Sequence, residues 1–334
     1  MEANLEKSYK DQEEWRRSIP AQVFLNHFFG IHRHIQHMRS TRNLDQLWHF
    51  REFAPQLTQE QEDLAKRLLI QAWNTEYALR KTAENRDETF HRNALYWTFP
   101  QAYYSIFFGT KAFLTVQGGS VSSEWLARAR VGRLVGANWY PAPLAFAALG
   151  YPGKFTHLGL SSGLAKPTLH LTDTPHEWQA QVGQFLRTTR TQQMQAARSR
   201  TQADPEKALR TKTGKIATRF GAKEWAEVAK RVSPTSFLDL FARLKISSTH
   251  REVERFLEAE IDFRLFHTCL FETVRYINSV HEAYVAKAMG AERFAEFKQS
   301  LPEYLRQEFG EGPKVPHEAA VIPLEPRRFE KMVG

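Results

Sequence analysis

Residues 233–290 read SPTSFLDLFARLKISSTHREVERFLEAEIDFRLFHTCLFETVRYINSVHEAYVAKAMG, and the rest of the chain is read outward from them. An amphipathic run leads to Arg243. Lys245, Ser247, Ser248 and Thr249 then break it, and His250 opens an acidic turn. Beyond the break, apolar residues at helical spacing predict a long helix over 251–289, stopped by Gly290. An arginine and a histidine in Arg-x6-His spacing across such a corner can converge on one phosphate. A guanidinium stabilises developing charge and an imidazole moves a proton, the minimum equipment for metal-free chemistry on a phosphodiester. The bland alternative is a polar corner that only caps the next helix.

Other Arg–His pairs have similar spacing. Arg275 and His281 lie within one continuous helical pattern, which turns them about 120° apart. Arg264 and His267 share a face, as helix surface pairs commonly do. Arg86 and His91 bracket a polar turn upstream of the aromatic helix. Arg243 and His250 are therefore the candidate catalytic pair.

Upstream, residues 59–84 carry Leu64, Leu68, Ala72 and Leu79 behind an acidic first turn, predicting a helix with a polar outer face. Residues 94–118, ALYWTFPQAYYSIFFGTKAFLTVQG, predict a mostly buried helix starting near Pro100. The expected set is helices near 60–85, 100–117, 223–245 and 251–289, the second packed on the fourth. Between 119 and 180 glycine and proline accumulate, predicting loops and short strands, one over Thr168–Thr172. No phosphate-binding glycine motif occurs there, so a nucleotide-binding loop is not expected. The fold class is mainly α, divided as an N-terminal basic and aromatic segment (1–58), a helical domain (59–290) interrupted by an insertion (119–222), and a C-terminal helix and tail (291–334).

Composition narrows the partners. The 334 residues hold 46 Lys and Arg against 37 Asp and Glu, a net charge of +9, which favours a polyanion. No carboxylate occurs between Glu14 and Asp45, and 187–223 carries ten cationic residues against Asp204 and Glu206. Arg33 and Arg39 in the first stretch, and Arg187, Arg190, Arg198, Arg200, Arg210, Lys212 and Lys215 in the second, are the candidate nucleic-acid contacts. A solvated helical excursion is the competing reading of the second stretch. His34 and His37 share a helix face but lack acidic or cysteine companions, so a basic, partly exposed face is expected rather than a metal site, and no cofactor is called for. The single cysteine, Cys269, sits among apolar residues and suits a reducing compartment. The charged first residues lack the apolar core of a signal peptide, and no run approaches the ~18 apolar residues of a membrane span. A cytoplasmic protein without membrane partners is expected.

Three short segments carry a family resemblance. Gln101-Ala-Tyr-Tyr-Ser-Ile-Phe-Phe-Gly-Thr-Lys-Ala-Phe-Leu to Gly118 resembles the aYYxxFxxxKAxL…G helix of prokaryotic HEPN-domain proteins. Thr156-His157-Leu158-Gly159-Leu160 is similar to a "tHxGl" turn of some members, and 242–289 resembles the family's loop and closing helix. The resemblance implies an HEPN-like α-helical bundle, commonly a homodimer in which two Arg-x4-6-His motifs meet. It further implies a metal-independent endoribonuclease acting as a toxin or anti-phage defence effector, alongside an antitoxin or defence-complex subunit. In that reading Arg243 holds the scissile phosphate. His250 handles protons between the 2′-hydroxyl and the leaving oxygen, leaving a 2′,3′-cyclic phosphate. Family motifs often place Asn, Asp or His after the arginine, where this chain has Leu244. Members without the histidine only bind, so a catalytically inactive nucleic-acid-binding or scaffold subunit is the second reading.

Overall fold

A computed structural model describes residues 2–39, 43–119, 121–164, 166–169, 172–211, 213–248 and 250–309, except the side chains of 2–17 and 250–252. The described residues are mainly helical, with one two-stranded antiparallel sheet. In chain order the helices are α1 (Glu2–Met38), α2 (Trp48–Arg51), α3 (Gln59–Ala83), α4 (Glu88–Asn93), α5 (Leu95–Val116) and α6 (Glu124–Gly136). The hairpin β1 (Ala147–Tyr151) and β2 (Lys154–Leu158) follows. Next come α7 (Pro175–Ala203), α8 (Ala222–Ala229), α9 (Phe237–Ile246), α10 (His250–Leu257), α11 (Phe263–Met289), α12 (Ala291–Gln299) and α13 (Glu303–Phe309).

Local chemistry starts these helices where they start. Thr58 caps α3 through a reciprocal box, its hydroxyl accepting from the Gln61 N–H (3.3 Å) and its own N–H donating to Gln61 Oε1 (3.0 Å). Asp262 caps α11 by accepting from the Leu265 N–H at 2.8 Å. The apolar faces of α3, α5 and α11 then pack on one another, burying Trp73, Phe99, Tyr103, Phe113 and Tyr284. This is the expected pairing of the aromatic helix with the long closing helix. One hydrophobic core runs through all three predicted segments, including Phe28, Phe113 and Leu305.

Polar groups inside this bundle serve each other. Asn278 donates through Nδ2 to Glu76 Oε2 (2.6 Å) and Ser105 Oγ (2.8 Å), and Ser105 donates to the Ala72 carbonyl (3.0 Å). Burial pushes the Glu76 carboxyl up to about 7. Trp73 Nε1 and the Lys298 ammonium both face Glu282, at 3.3 and 3.4 Å.

Several expectations are corrected. The stretch 223–245 is two helices: α8 ends at Ala229, Pro234 keeps the connecting segment out of helix, and Thr235 makes an isolated bridge to Ala148. The Ala148 N–H donates to the Thr235 carbonyl (2.9 Å) and the Thr235 N–H to the Ala148 carbonyl (3.0 Å). The stretch 251–289 is also two helices, α10 and α11, with Asp262 starting the second. Helix α5 begins at Leu95 and passes through Pro100, whose missing N–H costs one bond near the helix start. The loop-rich stretch 119–180 contains the 13-residue α6, capped by Ser123. Its hairpin lies at 147–158, and Thr168, Leu169 and Thr172 are not in a strand. There the Thr168 N–H donates to Glu177 Oε1 (2.9 Å) and its carbonyl accepts from Gln181 (3.0 Å), so α7 side chains replace a partner strand. His170 and Leu171 lie outside the described residues.

The expected basic, partly exposed face of the N-terminal segment is instead buried at His27, His32, Arg33 and His34, because α7 and α11 pack along α1. His27 pairs with Gln181 Oε1 (2.8 Å) and burial lowers it to about 4; His32 pairs with Glu272 Oε2 (2.6 Å). His34 meets the Phe146 ring edge-on at 5.5 Å. No described helix is long and apolar enough to cross a membrane.

Candidate nucleic-acid interface

Helix α9 positions Arg243. Ser236 and Asp239 form its capping box, with the Ser236 N–H donating to Asp239 Oδ2 at 3.0 Å. Phe237, Leu238, Leu240, Phe241 and Leu244 bury the inner face, which leaves Arg243 turned toward α1 and α7. Its guanidinium donates to Thr188 Oγ1 (2.8 Å) and Thr189 Oγ1 (3.3 Å) and lies 5.6 and 5.2 Å from the Phe24 and Phe185 ring centres. Hydrogen bonds and two aromatic faces thus fix a charged group in one orientation.

Ser247 and Ser248 turn away from the end of α9, and His250 is the first residue of α10. Arg243 thus lies near the end of α9 and His250 at the start of α10. The His250 side chain, and with it the expected meeting of imidazole and guanidinium, lies outside the described residues. His91, His267 and His281, the imidazoles of the competing pairs, are all fully buried. His267 Nε2 bonds the His91 carbonyl (2.7 Å) and His281 Nε2 the Tyr140 hydroxyl (3.0 Å), placing both in the packing.

Beside Arg243 opens a cleft of about 720 Å³, inside the range of ligand sites. Five arginines from five separate pieces of chain line it: Arg128 of α6, Arg200 of α7, Arg231 of the segment after α8, Arg243 of α9 and Arg255 of α10. Asp239 is the one carboxylate among the lining residues and is already engaged. It accepts from Gln193 Nε2 (2.7 Å) and the Ser236 N–H, and it faces Arg128 at 3.8 Å. Burial raises its carboxyl, opposed by the Arg128 charge and these hydrogen bonds. The walls are held close. A Cβ on Gly132 of α6 would stand 2.0 Å from the Pro234 carbonyl oxygen, so only glycine lets the two backbones meet. Lys245 Nζ, 2.6 Å from Glu124 Oε2, ties the start of α6 to the end of α9.

The predicted phosphate contacts separate into classes. Arg190 is buried, donating through Nε to the Gly150 carbonyl (3.1 Å) and through its terminal nitrogens to the Val232 carbonyl (3.3 Å) and the Ser233 carbonyl. Burial lowers its guanidinium to about 10, so it stays charged at neutral pH while holding β1 to the segment after α8. Arg33 is buried beside Asp173 at 3.7 Å, and Arg39 lies over the Tyr276 ring at 5.5 Å. Arg198 sits between Phe220 (4.6 Å) and Trp225 (5.8 Å) and donates to the Thr218 carbonyl. Arg210 braces its own loop through the Gly214 (2.9 Å) and Pro205 (3.3 Å) carbonyls. Arg187, Arg200 and Lys215 are exposed, whereas Lys212 lies outside the described residues.

Sequence reading missed Trp125, Arg128, Arg231 and Arg255. Ser123 followed by EWLARARVGRLVG does carry a helix signal, an N-cap with an acidic first turn, that exposes the first two. Arg231 and Arg255 stand in a break and in a mixed-charge turn, where no linear pattern marks them.

Five arginines line the cleft over apolar ground from Pro20, Ala21, Phe24 and Phe256, with Arg243 and Arg231 each also bonded to threonine hydroxyls. Such a surface is equipped to bind phosphate groups, since guanidiniums pair with their oxygens bidentately. No protein-family model, curated protein or solved structure matches this chain.

Proposed function

We propose that the cleft binds RNA and that the corner between α9 and α10 cuts it without a metal, Arg243 stabilising the scissile phosphate and His250 transferring protons. The observation that carries the reading is the convergence of arginines 128, 200, 231, 243 and 255 on one cleft whose single carboxylate already accepts from Gln193 and Ser236 and faces Arg128. Gathering like charges opposes folding, and an anionic ligand offsets that repulsion. A chain-like polyanion fits better than a small anion. From Arg200 the polypeptide continues into a cationic excursion that exposes Lys207, Arg210, Lys215, Arg219 and Lys223 beyond the cleft. The role as a toxin or anti-phage effector, and a twofold pairing of two corners, rest on the HEPN resemblance.

A second reading, binding without cleavage in a larger complex, is favoured by the way Thr188, Thr189, Phe24 and Phe185 hold the Arg243 side chain. One experiment separates them. Purified native protein, Arg231→Glu/Arg255→Glu and His250→Ala are incubated with total RNA in EDTA, and affinity is measured across a salt series. The double reversal should weaken binding about tenfold or more and lower the salt slope by roughly one per lost phosphate contact. His250→Ala should bind as native and leave RNA intact. Unchanged affinity in the double reversal removes the cleft from the reading, and full cleavage by His250→Ala leaves binding alone.

A further inference from the structure

The cleft carries an apolar feature that phosphate binding does not use. Trp125 lines it from the first turn of α6 and is 51% exposed, and Ile246 lines it from the end of α9 at 58%. Leaving an indole and a sec-butyl group in water is unfavourable, and large apolar side chains displayed at the edge of a concave site commonly mark a binding surface. Phosphate groups alone give no return for that exposure.

Their placement beside the cations gives it a use. Trp125 and Arg128 are three residues apart on α6, one above the other on the same face, and both line the cleft. An aromatic plane and a guanidinium one turn apart match the two halves of a nucleotide, a flat base and an anionic phosphate. Phe24 and Phe256 continue the apolar ground inside the cleft.

Resting on the reading that this cleft binds nucleic acid, we infer that Trp125 is a base-stacking platform and that the cleft therefore takes unpaired nucleotides, base against the indole and phosphate against Arg128 and its neighbours. A duplex cannot use such a platform. Its base faces are already stacked on one another and only their edges reach the grooves. A volume of about 720 Å³ also suits a unit of drug-like size rather than a double helix. Stacking accepts any base, so the platform selects for strandedness and not for sequence.

The test uses the full-length protein and probes that cannot be cut by 2′-hydroxyl chemistry: single-stranded oligothymidylate, a blunt DNA duplex, long-chain polyphosphate and thymidine 5′-monophosphate. Trp125→Ala should weaken oligothymidylate binding about tenfold, the equivalent of losing one stacked base, and leave duplex and polyphosphate affinities unchanged. Trp125→Phe should recover most of the loss. Competition by the mononucleotide at concentrations comparable to the oligomer assigns a free nucleotide as the source of the unit, and competition only at far higher concentrations assigns a strand. Equal losses for all probes, or no loss for the single strand, overturn the platform. The underlying cleft reading fails separately, when Arg231→Glu/Arg255→Glu leaves polyphosphate affinity unchanged.

Discussion

Between α3, α5 and α11, Glu76 and Ser105 both accept from Asn278 Nδ2 in a closed space, and Glu282 is met by Trp73 and Lys298. In the cleft, arginines from five pieces of chain instead line one open volume, Arg243 held by Thr188 and Thr189, Arg231 by Thr201, and the one carboxylate tied to Gln193, Ser236 and Arg128. Both regions gather polar groups that folding alone has little reason to gather. The first is bonded within the bundle, so changes there should alter stability and spare ligand affinity. In the proposed reading an anionic ligand completes the second, so changes there should do the reverse. Residue type does not assign an arginine to one region or the other; its neighbours do.

Arg190 is the sharpest test, because it comes from the most basic stretch yet sits as the interior groups do. Arg190→Met leaves the carbonyls of Gly150, Val232 and Ser233 without their donor. The expected cost is about 3 kcal/mol in urea denaturation, with the affinity of the folded fraction for RNA unchanged. Native stability with lost affinity would break the comparison.

Glu76 tests the interior through pH. Its folded value of about 7 lies above the usual 4.5, so the fold favours the neutral acid. That stabilisation is fully present below the unfolded value and is lost as pH rises through about 7. Between roughly pH 5 and 8 the native protein should lose on the order of 2 kcal/mol from this group, and Glu76→Gln, neutral throughout, should not. The difference between the two stability–pH curves isolates it. Burial lowers His27, His34 and His267 to about 4, below the usual 6.5, so their contribution is present above the unfolded value and lost as pH falls toward about 4. That acid limb should appear in both proteins.

The smallest effect is expected from the excursion. Reversing Lys215, Arg219 and Lys223, all exposed, should weaken RNA binding only about threefold at moderate salt, with unfolding unchanged. A loss equal to that of the cleft double variant would move the interface out of the cleft and onto the excursion.

Fold class was legible because it rests on periodicity. The helices at 59–83 and 95–116, and the pairing of the aromatic helix with the closing one, follow from apolar spacing that tertiary packing then reinforces. The two split helices were not resolved by periodicity alone. Asp262 marks the start of α11 in the sequence, and Pro234 marks the break before α9, but apolar spacing runs across both. Arg243 and Arg200 were legible as cations, and the corner before His250 as a corner. Their assembly with Arg128, Arg231 and Arg255 was not, since residues far apart in the chain meet only through the crossing of α6, α7, α9 and α10. Charge density along the chain also misassigned Arg190 and Arg33, because it counts charges without seeing what covers them.

Gly132 has a mechanical consequence. Side chains between two walls act as a compliant layer that yields by changing rotamer; main chain against main chain has no such layer. With α6 resting directly on the Pro234 carbonyl, the spacing between the backbone of α6 and the segment bearing Arg231 is gauged by main-chain dimensions. In the proposed reading, binding should not require parting these two backbones, and an association rate that rises with oligonucleotide concentration without a plateau would show it.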